Sequence, residues 1–140
     1  MPDTPPFRVL VLCTGNSCRS IMTEAAINHL APGWRAESAG SHPTGQVHPL
    51  ALAALDRHGI TVHDPHSKSW DRFAGQAFDR VLTVCDRAAG ESCPAFAGPA
   101  DRLHWSLPDP AAADGDEHER SAFFDAVLAD IITRVKDRFT

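Results

Sequence analysis

Hydrophobic residues occur along the chain in short continuous runs that alternate with stretches of helical spacing. Phe7 to Leu12 reads FRVLVL, a β-branched and aliphatic run that is typical of a buried parallel strand. From Arg19 to Leu30 the apolar residues recur at the spacing of one helix face, and Pro32-Gly33 ends the run. The beginning of the chain is therefore predicted to be strand, tight loop and helix.

The same alternation continues to the carboxyl end of the chain. Further strands are predicted at Trp34–Ser38, Asp79–Val84 and Arg102–Trp105. Further helices are predicted through Leu50–Leu55, ending at Gly59, and over Phe123–Val135, with a polar loop at Ala111–Glu119 between the last strand and the last helix. This order predicts an α/β fold, one domain over residues 1–140, with an open four-stranded parallel sheet flanked by helices. Ligand sites in such sheets lie beyond the carboxyl ends of the strands.

Composition and charge narrow the classes of function. A chain of 140 residues that is 43% hydrophobic can bury one core of ordinary size. The formal net charge of -5 gives no broad basic surface for nucleic acid or for anionic membranes. The first residues, MPDTPP, lack a basic segment, and the apolar run after them is too short for a signal peptide or a membrane span. We therefore expect a cytoplasmic protein in which any anion binds at a local site.

Four cysteines occur in two widely separated segments. Cys13 and Cys18 lie in one segment, and Cys85 and Cys93 lie in the other. Without a sign of secretion, reactive or metal-binding thiols are a better interpretation than a disulfide framework. A zinc site is disfavoured because neither pair has the usual close ligand spacing and no histidine pair completes it. We expect no metal and no other cofactor.

The segment CTGNSCRS suits a tetrahedral oxyanion. It joins a predicted strand to a predicted helix, and a nucleophile, Cys13, and an arginine, Arg19, stand at its two ends. Inward backbone N–H groups and the helix dipole favour a dianion in such a loop, and an arginine fork grips two oxygens. The same field predicts that the pKa of Cys13 falls from a free value of about 8.5 toward neutrality or below. The predicted binding residues are Thr14, Gly15, Asn16, Ser17, Cys18, Arg19 and Ser20.

Individual residues of the loop have specific predicted roles. Gly15 supplies conformational freedom, Asn16 can adopt a left-handed turn conformation, and Ser20 could donate a hydrogen bond to the sulfur of Cys13. Cys18 is interpreted either as an oxidation partner of Cys13 or as a packing residue. The alternative for the whole segment is a buried apolar cysteine followed by an ordinary turn, and it leaves the combined spacing and placement unexplained.

Several motifs together carry a resemblance to a known family. They are CTGNSCRS after VLVL, SAG at Ser38–Gly40, HPLALAAL from His48, SKSW from Ser67 and LPDP at Leu107–Pro110. The chain resembles the low-molecular-weight protein tyrosine phosphatases and the thioredoxin-coupled arsenate reductases that share their fold. The resemblance implies that Asp109 is the general acid that protonates the departing oxygen.

The second pair of cysteines favours the reductase. TVCDRAAGESCP, which contains Cys85 and Cys93, resembles the reductase segment, and paired thiols are the usual protein source of two electrons. The resemblance implies that Cys13 attacks arsenate, that Cys85 attacks Cys13 and releases arsenite, and that Cys93 then forms a disulfide with Cys85. It implies thioredoxin as the reductant and phosphate or sulfate as competing anions. The chain also contains no tyrosine, whereas these phosphatases commonly carry tyrosines just after the Asp-Pro.

Three alternatives remain open from the sequence. The first is a phosphatase that hydrolyses phosphotyrosine or small phosphoesters. The second is a sensor that uses the loop for binding and the thiols for signalling without catalysis. The third concerns only the reductant, since glutathione with glutaredoxin could also reduce an exposed disulfide. Arsenite formation with thioredoxin, compared with aryl phosphate hydrolysis, separates the first alternative from the reductase.

The chain departs from some members of the family at a position that binds a cation there. Some reductases of this type resemble the chain at Asn16, Glu24 and Ser38, which there help to bind potassium, and they carry an aspartate where this chain has Lys68. A lysine cannot ligate a cation, but its ammonium is a compact charge with three donors. We predict that Lys68 takes the place of the metal and hydrogen-bonds Glu24. The alternative is a solvated surface lysine.

Overall fold

The computed structural model describes residues 6–62, 64–85 and 100–139. The strands of the described ranges are β1 (Phe7–Leu12), β2 (Trp34–Ala39), β3 (Arg80–Thr83) and β4 (Asp101–His104). The α-helices are α1 (Arg19–Leu30), α2 (Pro49–Arg57) and α3 (Glu117–Phe139), with short 3₁₀ helices at Trp70–Phe73 and Pro110–Ala112. All strands pair in parallel in the order β2-β1-β3-β4, so the predicted α/β fold with a four-stranded parallel sheet is confirmed. Within these ranges, the helices all fall short of the combined length and apolar content that crossing a bilayer requires.

Helix α3 begins earlier than predicted, and a 3₁₀ helix forms at Trp70–Phe73, where no element was predicted, because polar side chains start both. Helix α3 begins at Glu117, inside the segment predicted as a loop. Asp116 Oδ1 accepts a hydrogen bond from Glu119 N at 2.8 Å, and acidic residues in the first turn complement the helix dipole. The 3₁₀ helix at Trp70–Phe73 begins where Ser69 Oγ accepts from Asp71 N at 3.1 Å. Both starts depend on local caps rather than on hydrophobic periodicity.

Strand β1 lies in the middle of the sheet and is buried on both faces. Its residues Val9 and Val11 belong to the larger core, which includes residues of α1, α2 and α3. Leu10 and Leu12 belong to a smaller core on the opposite face. Because β2 and β3 flank β1, the chain leaves β1 at the point where the strand order reverses. Such a reversal is the usual ligand site of an open parallel sheet.

Candidate active site

The segment after β1 forms a loop whose carbonyl oxygens point outward. Three of these oxygens accept backbone hydrogen bonds from outer segments: Thr14 from His42 at 2.9 Å, Gly15 from Thr44 at 3.0 Å, and Ser17 from His48 at 2.9 Å. In a trans peptide the carbonyl and the following N–H point in opposite directions. The N–H groups of Gly15, Asn16 and Cys18 therefore point away from these partners, toward the inside of the loop. This orientation fits the predicted oxyanion site.

Asn16 ties the loop to its surroundings. Its φ is 46°, which confirms the predicted left-handed conformation, and its side chain is fully buried. Asn16 Nδ2 donates to Ser20 Oγ at 2.8 Å and to Ser38 Oγ at 3.0 Å, and Asn16 Oδ1 accepts from Lys68 N at 2.9 Å. One buried amide therefore connects the loop with α1, with β2 and with the segment that carries Lys68.

The glycine at the end of the SAG motif allows a close approach of two backbones. A Cβ at Gly40 would lie 2.4 Å from Thr14 O and 2.7 Å from Cys13 O. Only glycine fits there without displacing the loop. Gly15, by contrast, does not adopt a positive φ. The left-handed turn is taken by Asn16 instead.

Arg19 and Asp109 meet beside the loop. Arg19 Nη1 donates to Leu107 O at 3.0 Å, and Arg19 Nη2 lies 3.8 Å from Asp109 Oδ2. Arg19 Nε is buried and finds no hydrogen-bond partner within the part of the chain that the structure describes. A buried donor without an acceptor is costly, and an oxyanion in the loop would satisfy it. Asp109 is 42% exposed and accepts from Ala111 N at 3.0 Å, so its carboxylate is held near solvent at the loop.

Buried cysteines lie within the loop and beside it. Cys13 directly follows β1, and Cys85 lies two residues beyond β3. Cys85 Sγ accepts a hydrogen bond from Thr14 N at 3.4 Å and lies 3.7 Å from Thr14 Oγ1, next to Cys13 in the chain. Cys18 Sγ donates to Asp109 Oδ1 at 3.8 Å. The structure thus brings Cys85 to the candidate nucleophile, whereas Cys93 falls outside the described residues.

The pKa of Cys13 differs from the sequence expectation. The hydrogen bond with Cys85 raises the pKa of the Cys13 thiol most, burial raises it further, and the Arg19 guanidinium lowers it. The lowered pKa predicted from the loop alone is therefore wrong for this conformation, because Cys85 and burial outweigh Arg19. Burial, followed by the Asp109 carboxylate, also raises the pKa of Cys18.

His48 supports the loop, a role that the sequence analysis missed. Its backbone N–H holds the Ser17 carbonyl, and its Nδ1 accepts from Leu50 N at 3.1 Å as the N-cap of α2. The ring packs against Phe124 with centroids 4.8 Å apart. Burial lowers the pKa of His48, which keeps Nδ1 available as an acceptor. The available signal was Pro49, since the residue before a proline at a helix start is usually the cap.

Lys68 lies next to Glu24, behind the loop. Its side chain is only 9% exposed, and its Nζ lies 3.9 Å from Glu24 Oε1. At this distance Lys68 and Glu24 form an ion pair but not the predicted hydrogen bond. The Lys68 Nζ donates instead to His66 O at 3.2 Å. Ser38 Oγ donates to the same Glu24 oxygen. Burial raises the pKa of Glu24, and the hydrogen bond from Ser38 and the charge of Lys68 both oppose that rise.

Known proteins share this fold and much of this sequence. The chain is 39% identical to an arsenate reductase of Halalkalibacterium halodurans over 129 residues, which cover 91% of each protein. A crystal structure of an arsenate reductase from Archaeoglobus fulgidus has a TM-score of 0.73 and 30% identity, and it covers 92% of this chain and 96% of the other. A thioredoxin-dependent arsenate reductase of Corynebacterium glutamicum has a TM-score of 0.66 and 26% identity, and it covers 96% of this chain and 64% of the other.

A family-level comparison covers the same residues. The family described as low molecular weight phosphotyrosine protein phosphatase matches residues 8–139, which include the loop, Cys85 and Asp109. The match therefore extends over nearly the whole chain, and the relatives of 30% identity or more named above are arsenate reductases. The chain belongs to the low molecular weight phosphotyrosine protein phosphatase family.

Proposed function

We propose that this protein reduces arsenate to arsenite. The observation that carries the proposal is the position of Cys85, whose sulfur accepts a hydrogen bond at 3.4 Å from the backbone N–H of Thr14, the residue next to Cys13. A phosphatase needs water to clear its cysteine intermediate, whereas a reductase needs a second thiol beside the nucleophile. The arsenate reductases among the relatives support the same conclusion.

Arsenate binds in the loop between Cys13 and Ser20. The inward N–H groups of Gly15, Asn16 and Cys18 donate to its oxygens, and the amino-terminal end of α1 adds partial positive charge. Arg19 supplies its buried Nε, which has no hydrogen-bond partner among the described residues, and the rest of its fork. Phosphate and sulfate have a similar shape and charge, so they compete for the same site.

The first step forms a sulfur–arsenic bond. The Cys13 thiolate attacks arsenic, and one arsenate oxygen departs as water after it receives a proton from Asp109. Cys13 must first lose its own proton, which burial and Cys85 disfavour until the dianion enters. The bound oxyanion is basic, so it can accept that proton as it binds. Arsenic remains arsenic(V) in the resulting adduct.

The second step moves two electrons. The Cys85 thiolate attacks Cys13 Sγ, which forms the Cys13–Cys85 disulfide and breaks the sulfur–arsenic bond. The electron pair of that bond stays on arsenic, which leaves as arsenite, so arsenic is reduced while two thiols are oxidised. Cys85 Sγ already accepts a hydrogen bond at 3.4 Å from Thr14 N, next to Cys13, so little movement of Cys85 is needed.

Cys93 and an external dithiol complete the cycle. Cys93 attacks Cys85 Sγ, releases the Cys13 thiolate and forms a Cys85–Cys93 disulfide. Thioredoxin then reduces this disulfide, and the structural likeness to a thioredoxin-dependent arsenate reductase of Corynebacterium glutamicum supports this choice of reductant. We place the protein in the cytoplasm, because the cycle needs thiols that are kept reduced.

Turnover with purified components tests this function. Arsenite should form when the protein is supplied with arsenate, thioredoxin, thioredoxin reductase and NADPH, and Cys13→Ser should abolish it because a hydroxyl is a far weaker nucleophile than a thiolate. Hydrolysis of an aryl phosphate is measured in parallel. Brisk hydrolysis without arsenite would assign the protein to the phosphatases instead.

Lys68 is proposed to replace a bound cation behind the loop. It is largely buried, it forms an ion pair with Glu24, and its backbone N–H donates to Asn16 Oδ1 at 2.9 Å. Ser38 donates to Glu24 and accepts from Asn16. The ammonium thus contributes the positive charge that Glu24 needs in order to remain an acceptor beside the loop.

A further inference from the structure

A second pocket with several cationic side chains lies away from the cysteine loop. It has a volume of about 600 Å³ and opens to solvent beside the first residues of β1 and β2. Its charged and titratable lining residues are Arg8, Arg35, Glu37, His66, Lys68 and Arg72. The lining therefore holds three arginines and Lys68 with one carboxylate, Glu37, in a chain whose formal net charge is -5, and Lys68 is also paired with Glu24 outside this lining.

The sheet itself places two of these cations side by side. Arg8 on β1 and Arg35 on β2 are register partners, so their Cα atoms lie directly opposite each other. Like charges directly opposite in a sheet destabilise it. Arg8 is nevertheless held in place. Its guanidinium donates to Ala77 O and Gln76 Oε1, each at 3.0 Å, and stacks over the ring of Phe78. A bound anion would offset the repulsion between the two arginines.

His66 fixes two more cations on the other wall. Its Nδ1 lies 2.9 Å from Asp64 O, which can only accept, so Nδ1 carries the proton and Nε2 is an acceptor. Arg72 Nη1 donates to that Nε2 at 3.0 Å, and Lys68 Nζ donates to His66 O at 3.2 Å. The positive groups on this wall are thus ordered before any ligand arrives, which lowers the entropy cost of binding.

We propose that this pocket binds a small molecule with several phosphate charges. Its volume lies within the range of about 300–1,000 Å³ that small-molecule sites usually have. The arginine forks suit phosphate oxygens, and several separate cations suit a chain of phosphates better than one isolated oxyanion. Lys68 connects the pocket to the cysteine loop, since its backbone N–H holds Asn16.

Binding of inorganic tripolyphosphate tests the proposal. Calorimetry should detect binding that is tighter than that of orthophosphate and that weakens as the salt concentration rises. Arg35→Gln and Arg72→Gln should each weaken tripolyphosphate binding about tenfold, which corresponds to about 1.4 kcal/mol, because each removes a charged hydrogen-bond donor. Arg134→Gln is the matched control, because Arg134 is a half-buried arginine paired with Asp130 on α3 and does not line the pocket. The control variant should bind like the unmodified protein.

Arg19→Ala separates this pocket from the cysteine loop. The variant should lose the reductase reaction and still bind tripolyphosphate, with amide shifts in NMR spectra centred on Arg35, Glu37 and Arg72. Loss of tripolyphosphate binding in Arg19→Ala, with unchanged binding in the two pocket variants, would assign the anion to the loop and overturn the proposal. An absence of binding to the unmodified protein at low salt would also overturn it. Thermal unfolding confirms that each variant is folded.

Discussion

Replacing Lys68 with methionine tests whether this lysine stabilises the region behind the loop. The Lys68 Nζ lies 3.9 Å from Glu24 Oε1, and the two side chains are only 9% and 25% exposed. At that separation the Coulomb energy is about 4 kcal/mol at an effective dielectric constant of 20 and about 1 kcal/mol in bulk water. The partial exposure of Glu24 and the cost of burying the ammonium reduce the upper figure. We expect Lys68→Met to lower the free energy of unfolding by about 2 kcal/mol at pH 8.

The loss should depend on pH with a definite sign. Burial raises the pKa of Glu24 above its ordinary value of 4.5, although Ser38 and Lys68 oppose the rise. A raised pKa in the folded state contributes stability at pH values below the unfolded pKa, and this contribution disappears as the pH rises through the folded pKa. Without Lys68 the folded pKa of Glu24 rises further. Lys68→Met should therefore lower the free energy of unfolding at pH 8, where Glu24 is charged. It should lower it much less at pH 4.5, where Glu24 is largely neutral.

Denaturant unfolding of both proteins at the two pH values measures this effect. Lys136→Met is the matched control, because Lys136 is an exposed lysine near the end of α3 and its loss should cost no more than about 0.5 kcal/mol. Exchange of potassium for sodium at fixed ionic strength should change neither stability nor turnover of the unmodified protein. Three results would contradict this role of Lys68. Lys68→Met would lower the free energy of unfolding no more than the control does, or it would lower it equally at both pH values. Potassium would clearly activate the unmodified enzyme.

Three further substitutions test the loop and the thiol cascade. Gly40→Ala should lower stability by at least about 2 kcal/mol in thermal or denaturant unfolding, because its Cβ would lie 2.4 Å from a loop carbonyl; near-native stability would mean that the loop can shift. Asp109→Asn should lower kcat for arsenate about a hundredfold or more while calorimetry shows anion binding retained, and unchanged turnover would identify another acid. Cys93→Ser should release about one equivalent of arsenite and trap a Cys13–Cys85 disulfide detectable by peptide mass mapping. Full multiple turnover would show that thioredoxin reaches the first disulfide directly.

The order of the elements and the identity of the loop could be predicted from local patterns in the sequence. The run Phe7–Leu12, the helical spacing from Arg19 and the motif between them are local signals, because a strand, a helix and an anion loop each depend on neighbouring residues. The left-handed conformation of Asn16 belongs to the same class. The start of α3 at Glu117 was missed, since short polar caps give a weaker signal than hydrophobic periodicity.

The way in which distant residues come together at the loop follows from the packing of the strands and not from any local pattern. Cys85 reaches the loop because β3 pairs with β1, and Gly40 and His48 hold it through long-range backbone contacts. The pKa of Cys13 also depends on the tertiary structure. The loop predicts a lowered value, but the proximity of Cys85 and the depth of burial raise it, and both are set by how the strands pack. The second cationic pocket likewise arises from strand register, which brings Arg8 and Arg35 together across a sequence separation that no local pattern can bridge.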